Sequence, residues 1–72
     1  MSDADSNINY DLVTLLQNKM KNFSRLEKFY CKDAEVAKCH SRDALEQIKQ
    51  DEARHIDMLK EEIKMRISAN VF

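Results

Sequence analysis

No glycine and no proline occurs anywhere in the 72 residues of this chain. A chain without them lacks the residues that tight β-hairpin turns require and the commonest helix breakers. Its natural solution is a few long, uninterrupted helices. Apolar residues recur at alternating spacings of three and four, the period of one helical face. Charged residues make up 35% of the chain and apolar residues 43%, which suits amphipathic helices with one solvated side. The expected class is all-α, a single domain at most.

Residues 1–8 read as a flexible polar tail, and residues 9–72 as one helical hairpin. Asn9 is the expected N-cap of the first helix, with Asp11 in its first turn and Ile8 stapling onto Val13. That helix is expected over about residues 9–38, with the stripe Leu12, Leu16, Met20, Phe23, Tyr30, Ala34 and Ala37. One position of the stripe, between Phe23 and Tyr30, is held by Glu27. A break falls near Cys39 and His40, and Ser41 is the expected N-cap of a second helix over about residues 42–68. The second stripe is Leu45, Ile48, Ile56, Leu59 and Ile63, and Met20, Met58 and Met65 also stand at core spacing.

Glu52 lies within the second stripe, four residues after Ile48 and seven before Leu59. His55 flanks the stripe three residues on, so both side chains lie on neighbouring rows of one face. A carboxylate placed where leucine is expected is costly unless it is paired or bound to a metal. With the bend near residue 40, an antiparallel return sets Glu27 opposite Glu52 and His55. A two-helix hairpin buries its apolar stripes poorly by itself. Two hairpins about a two-fold axis would complete a four-helix bundle, a homodimer or higher even oligomer. The two-fold would duplicate Glu27, Glu52 and His55, giving four carboxylates and two imidazoles.

In that ligand inventory, in Tyr30 and Ala34 spaced as Tyr-x-x-x-Ala, and in Asp51-Glu52-Ala53-Arg54-His55 followed by Leu59, the chain resembles the ferritin-like superfamily. The likeness is to its rubrerythrin and encapsulated-ferritin branch, reduced to a half-bundle, and it covers roughly residues 12–63. The resemblance implies that Glu52 bridges two metals, that His55 ligates one, and that Glu27 is the ligand from the first helix. It implies iron, with manganese or zinc able to fill the same donors. It also implies a ferroxidase-type oxidation of Fe(II) by a small oxidant, oxygen or peroxide. Tyr30 would then stand behind the metal ligands with its hydroxyl toward a carboxylate. A second reading needs no metal: a helical assembly or coat-like protein in which Glu27, Glu52 and His55 form a polar core layer.

Other classes of partner are less compatible with the chain. Acids and bases are interspersed at a net charge of −1, with no basic cluster of the kind that nucleic-acid backbones require. The apolar runs are too short for a membrane span. The amino terminus lacks a basic stretch followed by an apolar one, so no signal peptide is expected. Cys31 and Cys39 do not read as a disulfide framework and fit a reducing, cytoplasmic setting. Cys31 reads as a small packed residue, and His40 as a bend residue.

Overall fold

The computed structural model describes residues 2–72 and forms a helical hairpin. Met1, the first residue of the expected tail, lies outside the described residues. Helix α1 spans Asp3–Arg25, a five-residue π-helical segment spans Leu26–Tyr30, and α2 spans Cys31–Ala37. These three are collinear in sequence and make up the first arm. After the bend, α3 spans Ser41–Ser68 and makes up the second. Among the described residues no helix is long and apolar enough to cross a membrane.

The first arm begins six residues before the expected Asn9 cap, because Ser2 builds a better one. Its hydroxyl accepts from the Asp5 amide at 3.1 Å, while the Asp5 carboxylate accepts from the Ser2 amide at 3.3 Å. This reciprocal capping box satisfies orphan donors, and Asp3 and Asp5 place negative charge at the positive end of the helix dipole. Residues 3–8, read from the sequence as tail, are therefore helical. Asn9 is buried within α1 and serves a different purpose. Its Nδ2 donates to the Val71 carbonyl at 2.8 Å, and its Oδ1 accepts from Arg66 Nε at 2.7 Å. Arg66 Nη2 also donates to Asp5 Oδ1 at 2.9 Å. This clasp ties the open ends of the two arms together. Its guanidinium holds the Asp5 carboxyl below the ordinary aspartate value, helped by the hydrogen bonds from Ser2.

Both long arms end in the same way. Lys38 adopts the left-handed conformation (φ 53°), its amide donates to the Glu35 carbonyl, and the Cys39 amide donates to the Ala34 carbonyl. At the end of α3, Asn70 (φ 61°) repeats the pattern, with Asn70 donating to Ile67 and Val71 to Arg66. These are Schellman motifs built without glycine. Asparagine tolerates the left-handed region, but for Lys38 the conformation carries strain of about 1 kcal/mol. Helix α3 starts one residue before the expected position. Ser41 is its first residue rather than its cap, and His40 precedes it with no side-chain capping bond.

The π segment decides which residues of the first arm face inward. The Cys31 amide donates to the Leu26 carbonyl, five residues back. This extra residue per turn puts Leu26 and Cys31 both inside, with Ala34 following. Tyr30, which a regular helix would carry inward four residues after Leu26, is turned to the surface; Glu27, expected on the inner stripe, is also exposed, because that stripe runs through Leu26 beside it. The remaining apolar core comes from Ile56 and Leu59 of α3, beside the buried carboxylate of Glu52. Met20, Met58 and Met65, expected as packing, are exposed.

Candidate functional site

The most polar part of the interior centres on Glu52. Its place on the α3 stripe, expected from the sequence, is where the structure puts it: the residue is 7% exposed. Lys19 crosses from α1 and donates to Glu52 Oε1 at 2.9 Å. The same ammonium lies 3.3 Å from Nδ1 of His55. An ammonium can only donate, so the contact is a hydrogen bond in the tautomer whose Nδ1 carries no proton. His55 Nδ1 is 3.8 Å from Glu52 Oε1. One cation thus holds a carboxylate and an imidazole together between the arms. The other carboxylate oxygen, Glu52 Oε2, is buried with no hydrogen-bond partner among the described residues.

Glu27 does not join this cluster. It is exposed and lines an open groove with Phe23, Ala53, Ile56, Asp57 and Lys60. Lys19 and His55 line a separate groove on the other flank, with Leu12, Leu15, Met58 and Glu62. The partner of Glu52 therefore comes from about two turns earlier in α1 than Glu27. Tyr30 is 44% exposed and borders a shallow surface at the bend with Asp33, Ala37, Cys39, Ser41 and Leu45. It is remote in the fold from Lys19 and His55.

Lys19 reads as a solvated residue when the stripe is drawn through Met20. A different stripe carries the signal: Leu12, Leu16, Lys19, Phe23 and Leu26 are spaced four, three, four, three. A lysine interrupts that series as a glutamate interrupts the one on α3, and two interruptions of opposite charge pair.

Within one hairpin this donor set does not fit a metal centre. Two of the three expected ligands lie together, but an ammonium occupies the space between them. Among the described residues no three His, Cys, Asp or Glu side chains gather closely enough to hold an ion. The cysteines are both free; Cys31 is buried and Cys39 exposed. Burial, followed by the nearby Glu46 charge, pushes the Cys31 thiol up from its ordinary value, which favours its neutral, unreactive form. No protein-family model, no curated protein and no solved structure matches the chain.

Proposed function

We propose that the chain is an assembly module, a helical hairpin that pairs with a second copy to complete a four-helix bundle. The carrying observation is the imbalance between core and surface. Five apolar residues are buried, none of the large side chains falls below 2% exposure, and thirteen large hydrophobic residues are exposed, all among the described residues. Where such residues adjoin to form a contiguous patch, they mark an interaction surface. In this reading Lys19, Glu52 and His55 form a polar layer with no catalytic step. A buried ion pair contributes little net stability, but it penalises every helix register that leaves Glu52 unpaired.

A second reading is a ferritin-like iron site, supported by one observation: Glu52 Oε2 is buried and lacks a partner, beside an imidazole. Apposition of two Glu52–His55 pairs across a two-fold would gather four donors, with Lys19 displaced. Light scattering on the eluting protein, coupled to elemental analysis after aerobic addition of Fe(II), separates the readings. The assembly reading expects an even oligomer, no stoichiometric metal, and one melting temperature with or without chelator. A monomer at all concentrations would overturn it. About one iron per chain, lost in His55→Ala, would transfer the conclusion to the iron site.

A further inference from the structure

Of the two flanks of the hairpin, one is better suited to receive the second copy. Three adjoining grooves there share Leu16, Met20, Ser24 and Lys60, and together form one surface. Its apolar floor is made by Leu16, Met20, Phe23, Ile56, Ile63 and Ile67. Along the first arm it runs from Val13 to Lys28, about 22 Å. On the other flank a groove is interrupted by Lys19 and His55.

Area points to an occupant of this chain's own size. A compact monomer of 8.5 kDa exposes about 4,650 Å². The hairpin exposes 5494 Å². The surplus, about 800 Å², matches what one partner contributes to a standard stable interface. The radius of gyration, 15.9 Å, likewise exceeds the roughly 11 Å of a compact domain of this length. A second hairpin laid along the first would cover part of that surface and give a stouter particle than one copy alone.

Charge sets the direction. Toward the bend the surface is bordered by Glu27 and Asp57, with Lys28 beside them. Toward the open end it is bordered by Lys64, while Lys60 and Lys21 flank the middle. A surface acidic toward one end and basic toward the other is complementary to a copy of itself turned end for end.

We infer that a second copy of the chain docks antiparallel on the Leu16–Met20–Phe23–Ile63 face, about a two-fold axis near Met20, with Lys64 of each copy beside Asp57 and Glu27 of the other. This rests on the assembly reading above and adds the face and the orientation. The two Met20 side chains meet at the axis, Leu16 and Ile63 pack on Phe23 and Ile56, and the Lys19–Glu52–His55 cluster stays outside the interface.

The test is sedimentation equilibrium with circular dichroism on Met20→Glu, Leu15→Glu, Asp57→Lys and the double variant Asp57→Lys/Lys64→Asp. Met20→Glu is expected to raise the dimer dissociation constant about a hundredfold or more while helicity persists, because it buries two charges at the axis. Leu15→Glu is expected to leave it unchanged. Asp57→Lys should weaken the dimer about tenfold, and the double variant should restore it. The two charge variants lie on the surface, so they keep the inference testable if Met20→Glu fails to fold. A dimer broken by Leu15→Glu but not by Met20→Glu overturns the face and leaves the assembly reading standing. No rescue in the double variant overturns the antiparallel orientation. A wild-type chain that is monomeric throughout overturns the assembly reading itself.

Discussion

From mid-length to the open end the two arms are tied by long polar side chains. Arg66 is held by Asp5 and Asn9, and Lys19 reaches Glu52. Toward the bend the buried residues of the first arm are Leu26, Cys31 and Ala34, two of them small. Small residues let helices approach closely but specify register weakly, since a slip by one turn costs little packing. Charged pairs specify register strongly, since a slip leaves a buried group unpaired. The hairpin thus places its specificity from mid-length outward, where the chain connection constrains the arms less than at the turn.

The most severe break in this contrast is expected from Lys19→Met. It leaves Glu52 buried without its cation. A fully buried broken pair costs about 3–5 kcal/mol, and Lys19 is partly exposed, so a loss of about 2–3 kcal/mol is expected. Thermal melts should drop by roughly 10–20 °C. The double variant Lys19→Met/Glu52→Leu should recover most of the loss, and failure to recover would show that the pair contributes more than mutual neutralisation.

At the bend the opposite sign is expected. Lys38→Gly removes left-handed strain where the backbone already adopts φ 53°, and should stabilise by about 0.5–1 kcal/mol in denaturant unfolding. Asn70→Gly should give less.

The π segment allows a sharper test. Deleting Lys28 removes one residue from it and lets the Leu12, Leu16, Lys19, Phe23, Leu26 stripe continue in regular α-helical spacing to the residues now numbered Cys31 and Ala34. The deletion should keep full helicity and alter the melting temperature by no more than about 5 °C, a change of order 1 kcal/mol. A collapse of the fold would mean that the π turn itself is required.

The smallest effect concerns the clasp. Asp5 has its carboxyl depressed by Arg66, so its contribution is complete well above the ordinary value of 3.8 and is lost as the pH falls through and below that value. Melting temperatures recorded from pH 6 to about pH 3 should fall less steeply in Asp5→Asn than in the natural chain. Parallel curves would show that the clasp carries no pH-linked stability.

The helical hairpin was legible in the sequence because nothing in it favours any other element, and because the inward position of Glu52 follows from strict spacing on α3. The first arm was less legible. Its heptad pattern is offset by one residue after Leu26: the buried positions continue at Cys31 and Ala34, where a regular helix would use Tyr30 and Asp33. A stripe drawn through Met20, Phe23, Glu27 and Tyr30 looks continuous and conceals that offset. It brought Glu27 inward and left Lys19 outside. The amino-terminal cap was obscured for a different reason. Asn9 is a good capping residue by type, and only the return of Arg66 and Val71 at the other end of the chain shows why it is buried.

The hairpin is 51 Å long and 16 Å wide, about three to one. A rod of that proportion meets more friction than a sphere of equal mass. On a gel-filtration column one copy would elute ahead of its weight. Two copies side by side would be stouter, and their elution would shift less than the doubling of mass demands. Retention volume is thus a poor discriminator between one copy and two, and counting copies calls for a reading of mass itself, independent of shape.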